Sequence, residues 1–311
     1  MTGYDALRRH AAWLDLSARG KIKLTGEDRA RLLHAMSTNH IQQLTPGAGC
    51  YAFFLNDKGR ILADANIVCR PDHFLLDVEP ETREKLYQHL DHYIIADDVT
   101  LEDLTPRLAT IAVEGPQSAR VLEQAGAPVP ENEFGSEEWG NRLVARLNST
   151  GSLGFFVFAP VKEKGAVMAA LETAGAVAAD AEAFHVVRLE HGKPRYGEDM
   201  SERYLAQEAN QPQAMHFNKG CYLGQEIVER VRSRGQIHRV LMPVVLAART
   251  PPEPGTKLQI GEAAVAEITS AAYSPALEKV AALAYVRTEH ARPHTELALG
   301  DIRAEVAAVS R

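Results

Sequence analysis

Two stretches of the chain repeat the same order of hydrophobic and polar positions. Residues 74–80 (FLLDVEP) are mostly apolar, end in a proline and lead into ETREKLYQHLDHY. Residues 155–160 (FFVFAP) also end in a proline and lead into VKEKGAVMAALETAG. Each pair predicts a strand, a turn at the proline and an amphipathic helix.

A second pair of segments follows the same logic. Residues 24–33 (LTGEDRARLL) and 113–122 (VEGPQSARVL) share glycine, alanine, arginine and leucine at matching offsets. The glycine lets the backbone turn from a strand into a helix, and Pro116 suits a first helical turn. Chance similarity between common strand–turn–helix units is the alternative. Because the two pairs occur in parallel order, we predict a duplicated α+β body made of two interleaved modules.

From Val240 onward the pattern changes to short strand-like segments. These are VLMPVVLA, KLQIG, AVAEITSAAYS, KVAALAYVR and IRAEVAAV, separated by ARTPPEPGT, SPALE and EHARPHTELALGD. Short strands with such turns predict a small antiparallel barrel or sandwich. We therefore predict an α+β fold with a boundary near Gly235, which divides the chain into residues 1–235 and 236–311.

Composition narrows the class of protein. A net charge of −7 over 311 residues argues against a general affinity for nucleic acid, and no apolar run approaches the ~20 residues that a membrane span needs. The N-terminus lacks the apolar core of a signal peptide. Three cysteines and no C-x-x-C predict neither a disulfide framework nor a closed zinc site. We expect a cytoplasmic protein, with no membrane or direct nucleic-acid partner and no bound metal.

The segment NKGCYLGQEIVER, residues 218–230, contains the first candidate for chemistry. Glycines bracket Cys221, and Lys219 and Arg230 are close enough in sequence to lower the pKa of its thiol if they face it. A free cysteine is more often a buried apolar residue. The density of special residues around Cys221 shifts the interpretation toward a used thiol.

Two acidic residues are further candidates. Asp64 falls inside the apolar strand RILADANIV, where a carboxyl group needs a partner, although strand alternation also allows it to point at Arg60 or at solvent. Glu190 in RLEHGKPRYGED could accept paired hydrogen bonds from a pterin edge, or it could be a surface helix acid paired with Arg188 or Lys193.

The sequence resembles a known family along nearly its whole length. KGCYLGQE is similar to the motif of the YgfZ-type folate-binding proteins, relatives of the T-protein (aminomethyltransferase) of the glycine cleavage system. Three other segments are also similar to that superfamily: LNDKGRILADANIV, VRLEHGKPRYGEDM and VAEITSAAYSP.

The resemblance implies lobes around a central channel that binds tetrahydrofolate or another reduced folate, followed by a C-terminal antiparallel β-barrel. It also implies assembly or repair of iron–sulfur clusters with partner proteins, which would indirectly support tRNA modification. On this basis we predict Cys221 and Asp64 as reactive residues. The predicted folate contacts are Glu190, Lys219, Tyr222, Gln225 and Arg230.

Three functions remain open at this point. The first is a folate-dependent accessory factor that acts on iron–sulfur proteins. The second is a tetrahydrofolate-dependent aminomethyltransferase or demethylase, in which Asp64 would position the reacting folate nitrogen and Cys221 would be incidental. The third is a folate-binding module without chemistry.

Overall fold

The computed structural model describes residues 1–235 and 237–308. The strands are β1 (Ala12–Asp15), β2 (Gly20–Thr25), β3 (Gly49–Leu55), β4 (Ile61–Cys69), β5 (Phe74–Val78), β6 (Thr100–Asp103), β7 (Leu108–Glu114), β8 (Ser136–Trp139), β9 (Arg142–Ala145), β10 (Gly154–Pro160), β11 (Val177–Ala178), β12 (Arg239–Leu246), β13 (Lys257–Ile260), β14 (Ala263–Ser274), β15 (Lys279–Arg287), β16 (Glu296–Leu299) and β17 (Ile302–Val306). The helices are α1 (Gly3–Arg9), α2 (Arg29–Met36), α3 (Arg83–His92), α4 (Ser118–Gln124), α5 (Lys164–Thr173), α6 (Ala181–Glu190) and α7 (Gln225–Arg234).

The body contains two sheets with matching architecture. The first has the order β3-β4-β5-β2-β6, and the second has the order β8-β9-β10-β7-β1-β11. In the first sheet the hairpin strand β4 pairs with β5, which precedes a proline turn, and β5 pairs antiparallel with β2, which precedes a glycine turn. In the second sheet β9, β10 and β7 pair in the same order. Strand β1 comes first in the chain but joins the second sheet. The predicted duplication is therefore confirmed, and the division into two interleaved modules stays a prediction.

The two glycine turns have the backbone conformation that the sequence predicts. Gly26 follows β2 with φ of 103°, and Gly115 follows β7 with φ of 124°. A side chain at Gly26 would lie 1.9 Å from the Asp98 carbonyl oxygen, and one at Gly115 would lie 2.6 Å from the His10 carbonyl oxygen. Only glycine fits both the backbone angle and the close approach.

Each sheet buries one face against its own helices. Residues such as Ile22 and Phe54 of the first sheet pack with Leu33 of α2 and Leu86 of α3. Val113 and Val157 of the second sheet form the equivalent core with α4 and α5. The opposite faces remain available to form the centre of the body.

The C-terminal strands close into an antiparallel barrel in the order β12-β15-β14-β13-β16-β17. This confirms the predicted barrel. Strand β16 lies within EHARPHTELALGD, which the sequence pattern predicted to be a connection. The strand was missed because four residues are too few to show a strand period. The chain changes from helix to barrel strand between Arg234 and Arg239. The domain boundary at 235 stays a prediction, and the neighbouring Gln236 lies outside the described residues.

Within residues 1–235 and 237–308, no helix is long and apolar enough to cross a membrane.

Candidate functional site

A cavity of about 680 Å³ lies at the centre of the body. Its walls come from the end of β1 and the turn after it, from β4, and from the segment that contains α6 and residues 193–198. Both sheets and the segment that joins them to the barrel therefore contribute side chains. This volume is typical of sites for small organic ligands.

Asp64 lines this cavity. It alternates along β4 with Ala63 and Ala65, whose side chains lie in the core of the first sheet. The phenol of Tyr51 on the neighbouring strand β3 donates a hydrogen bond to Asp64 Oδ2 at 2.7 Å. Burial, reinforced by the negative charge of Glu79, raises the pKa of Asp64 to about 6. The carboxyl group can therefore gain or lose a proton near neutral pH.

Two arginines of the cavity wall are fixed by carboxylates behind them. Arg19 Nε and Nη2 donate to Asp77 at 2.8–3.1 Å. Arg188 of α6 donates to Asp199 Oδ2 at 2.7 Å. Because each guanidinium is neutralised within the protein, these residues give the cavity rigid polar walls and little net positive charge.

Lys193 differs from these arginines. It lines the cavity, and its Nζ lies 5.8 Å from the centroid of the Tyr51 ring. Among the described residues its ammonium group forms neither an ion pair nor a hydrogen bond. Burial lowers the pKa of Lys193.

Glu190 lies away from the cavity. Its carboxylate accepts hydrogen bonds from Tyr4 at 2.5 Å, Arg8 at 2.7 Å and Ser274 of the barrel at 2.5 Å. The cavity-facing residues of α6 include His185 and Arg188. A residue two positions beyond Arg188 points about 200° away around the helix axis, since each residue advances about 100°. The pterin contact stays a prediction for Glu190, and this geometry favours a role in joining α1, α6 and the barrel.

The cysteine segment also lies outside the cavity wall. Cys221 is exposed, whereas Cys69 is buried and Cys50 is half-buried. Burial raises the pKa of the Cys50 thiol to about 12 and also raises that of Cys69. Cys221 is therefore the accessible thiol of the three, and it does not line the cavity. Its use as a reactive residue stays a prediction.

Lys219 anchors the segment that carries Cys221. Its buried ammonium group donates hydrogen bonds of 2.5 Å to the carbonyl oxygens of His34 and Ser37, at the end of α2. Burial lowers the pKa of Lys219 to about 7. A lysine at a helix C-terminus satisfies carbonyl groups that have no partner within the helix. The predicted folate contact and thiolate stabilisation by Lys219 stay predictions, and the observed role is local anchoring.

The remaining predicted contacts surround the same segment. Tyr222 is buried against Phe53 and Leu55, on the side of the first sheet away from its helical core. Gln225 begins α7, and Arg230 on that helix is exposed and paired with Glu226 at 2.6 Å. These three residues do not belong to the cavity lining. Their assignment to folate stays a prediction.

Comparison with known proteins assigns the architecture. The model of the GCVT N-terminal domain matches residues 2–219, and that of the glycine cleavage T-protein C-terminal barrel domain matches residues 239–309. The chain belongs to the glycine cleavage T-protein family. Its membership in the YgfZ-type branch is a finer prediction than these matches establish.

Individual proteins are similar to this one over most of the chain. An aminomethyltransferase from Rubrobacter xylanophilus is 30% identical over 92% of this chain and 78% of its own length. A putative chloroplastic transferase from Arabidopsis thaliana is 28% identical over 86% of this chain and 63% of its own length. The crystal structure of glycine cleavage system aminomethyltransferase T from Bartonella henselae superposes with a TM-score of 0.90 at 22% identity, over 99% of this chain and 88% of that one. The last match supports the fold.

Within this T-protein fold, Asp64 is the predicted site residue that the structure places in the cavity. Sequence reasoning missed Arg19, Tyr51, Arg188 and Lys193 as cavity residues. Tyr51 could have been found by pairing the strands around the NDKG hairpin, since such pairing brings facing side chains together. Lys193 had no such signal, because the segment KPRYG is typical of an ordinary turn.

Proposed function

We propose that this protein binds a reduced folate in the central cavity. The observation that carries this proposal is a buried carboxyl group, Asp64, with a raised pKa in a cavity large enough for a pterin ring. Fixed polar groups at the wall and apolar side chains such as Phe156 suit a flat heterocycle with N–H donors. A bound tetrahydrofolate would supply one-carbon carrier chemistry.

For the role that follows from folate binding, we propose first an accessory factor in the assembly or repair of iron–sulfur clusters. The exposed Cys221 supports this role, since a buried lysine holds its segment in place while the thiol remains accessible. A [2Fe–2S] or [4Fe–4S] cluster normally takes four thiolates. Cys221 would therefore act on a cluster or sulfur atom shared with a partner protein, and any effect on tRNA modification would be indirect.

A tetrahydrofolate-dependent aminomethyltransferase or demethylase is the second candidate. It is favoured by the position of Asp64, because a carboxyl group that titrates near pH 6 can exchange a proton with a ligand nitrogen. The relatives named aminomethyltransferase also support it. In this reaction Tyr51 would orient the Asp64 carboxyl group, and the fixed arginines would position the ring.

Folate binding is tested by calorimetric titration with 5-formyltetrahydrofolate, a stable reduced folate. We expect a dissociation constant in the micromolar range, which corresponds to roughly −8 kcal/mol. Leu16→Asp, which places a charge at a half-buried apolar position of the wall, should abolish the signal. An exposed control, Lys162→Met, should not change it. No saturable heat at millimolar ligand would refute the proposal.

The two roles are separated by complementation of a deletion strain assayed for several iron–sulfur enzymes. The accessory role predicts rescue by the wild type and by Asp64→Asn, but not by Cys221→Ser. The transferase role predicts rescue by the wild type and by Cys221→Ser, but not by Asp64→Asn. We also expect the protein in the cytoplasm, where its three free thiols would remain reduced.

A further inference from the structure

Lys193 is the basic side chain of the central cavity that lacks an ion-pair partner within the described part of the chain. Arg19 is paired with Asp77, Arg188 with Asp199, and Arg195 with Glu81. Lys193 lines the same cavity, and no carboxylate of the residues that the structure describes lies within 4 Å of its ammonium group. Its charge is therefore available to a ligand, whereas the charges of the arginines are already neutralised.

The main chain holds Lys193 in place. Its N–H donates to the Arg188 carbonyl oxygen at 2.7 Å, and its own carbonyl oxygen accepts from Arg188 Nη1 at 3.1 Å. Gly192, with φ of 67°, turns the chain between the end of α6 and this position. The ammonium group lies over Tyr51, whose hydroxyl group contacts Asp64. A ligand group at Lys193 would therefore lie near the proposed reacting end of the cavity.

We propose that Lys193 receives a carboxylate of the ligand that occupies the cavity. A partly buried ammonium group without a partner is unfavourable, and an incoming anion supplies the missing hydrogen bonds and charge. A carboxylate fits better than a phosphate, because Lys193 is the unpaired cation among the described residues of the wall, and several carboxylates, among them Glu79 and Glu198, also line it. Burial lowers the pKa of Lys193, as expected for an ammonium group that has left water without gaining a counter-ion.

Two ligands could provide the carboxylate. One is the glutamyl tail of the folate, a source that rests on the proposed folate binding. Because the tail is at the opposite end of folate from the pterin ring, this source places the ring away from Asp64 and excludes the contact that the transferase role requires. The other is a separate small acid that binds beside the folate as a second substrate. In both cases a carboxylate pairs with the ammonium group of Lys193. Charged ligands compared with neutral ligands of similar shape distinguish the two sources.

The first measurement compares 5-formyltetrahydrofolate with its dimethyl ester, which has the same shape but no carboxylate charge. Titrations use the wild type, Lys193→Met, Lys193→Arg and the exposed control Lys162→Met. If the folate tail reaches Lys193, the wild type binds the acid about tenfold or more tightly than the ester. Lys193→Met should lose that preference and keep its affinity for the ester. Lys193→Arg should retain it because the charge remains.

The second measurement follows the melting temperature with acetate, glycine and the neutral control acetamide, with and without the folate ester. If the source is a separate acid, acetate or glycine stabilises the wild type and Lys193→Arg but not Lys193→Met, and acetamide stabilises none of them.

Several results would overturn the assignment. Equal weakening of the acid and the ester by Lys193→Met would show a contact with a neutral part of the ligand or a structural role. The same conclusion follows if neither measurement distinguishes the wild type from Lys193→Met. If the wild type binds neither folate form, the proposed folate function fails, and the small-acid measurement alone decides the role of Lys193. Lys193→Gln replaces Lys193→Met if the latter does not fold.

Discussion

Asp64 carries a buried carboxyl group whose ionised form is disfavoured by the folded protein. Its side chain is buried beside the charge of Glu79, and the Tyr51 hydroxyl group is the side-chain donor that contacts it. The ionised form is therefore less favourable in the folded protein than in water. Carboxyl groups with such a raised pKa are typical of residues that serve in binding or catalysis.

Asp64→Asn should increase stability at pH 7.5 and have little effect at pH 4. The folded-state pKa of Asp64 is about 6 and its ordinary value is 3.8. Between these values the folded state binds more protons than the unfolded state, so the contribution of Asp64 to stability falls as the pH rises through 6. A shift of about two units corresponds to up to about 3 kcal/mol.

Urea denaturation of the wild type and the variant at both pH values measures this difference. Asp57→Asn on the exposed NDKG hairpin is the control, and it should show no such pH-dependent gain. A gain from Asp64→Asn that is equal at pH 4 and pH 7.5 would contradict the assigned pKa.

Glu190→Ala should destabilise the fold and leave folate affinity unchanged. The nearly buried carboxylate accepts from Tyr4, Arg8 and Ser274, and its loss leaves these donors without their acceptor. Because Arg8 is partly exposed, we expect a cost of about 2–3 kcal/mol. Denaturation and calorimetric titration give the two quantities. Normal stability with weakened folate binding would instead restore the pterin contact that the sequence predicts for Glu190.

At the scale of elements, the repeated strand–turn–helix units could be predicted from the sequence. The contacts that depend on the direction of a side chain could not. The glycine and proline turns that follow β2, β5, β7 and β10 could be predicted because each has a local backbone cause. The direction of Glu190 depends on the rotation of α6 relative to the barrel. The partner of Lys219 is a helix end about 180 residues earlier in the chain. Neither contact leaves a local pattern.

The hairpin between β3 and β4 supports the helix that follows Cys221. A side chain added at Gly59 would lie 2.8 Å from Ile227 Cβ of α7, and one at Gly224 would lie 2.8 Å from the Asn56 carbonyl oxygen. The NDKG hairpin and the cysteine segment are therefore one structural unit, although about 160 residues separate them in the sequence.

Gly59→Ala should accordingly displace α7. Gly126→Ala is the matched control, because Gly126 has a similar φ of 72° against 67° for Gly59, and no atom within 4 Å of the added methyl group. The control should lose about 1 kcal/mol from backbone strain alone. Gly59→Ala should lose more and should also raise the rate at which Cys221 is alkylated. Equal losses with unchanged alkylation would show that α7 does not depend on the hairpin contact.

At the scale of the molecule, the cavity wall and the barrel share a hydrogen-bond network. Asp199 pairs with Arg188 of the cavity and accepts hydrogen bonds of 2.5 Å from Thr269 and Ser270 of the barrel. The barrel therefore holds one wall of the cavity in place, although the residues that line the cavity come from the body. Cys221 belongs to a different surface, held by α2 and the hairpin.

Because the two sites are separate, folate should not protect Cys221. In the native protein, iodoacetamide should label Cys221 first, since Cys69 is buried and burial raises the pKa values of both Cys50 and Cys69. Saturating 5-formyltetrahydrofolate should leave the labelling rate of Cys221 within about twofold of its value without ligand, because no residue of the cysteine segment lines the cavity. Peptide mass mapping over time gives the three rates separately.

Labelling of Cys50 or Cys69 before Cys221 would contradict the assigned accessibility. Strong protection of Cys221 by folate would mean that binding couples the two surfaces, and the thiol would then respond to the ligand that the cavity holds.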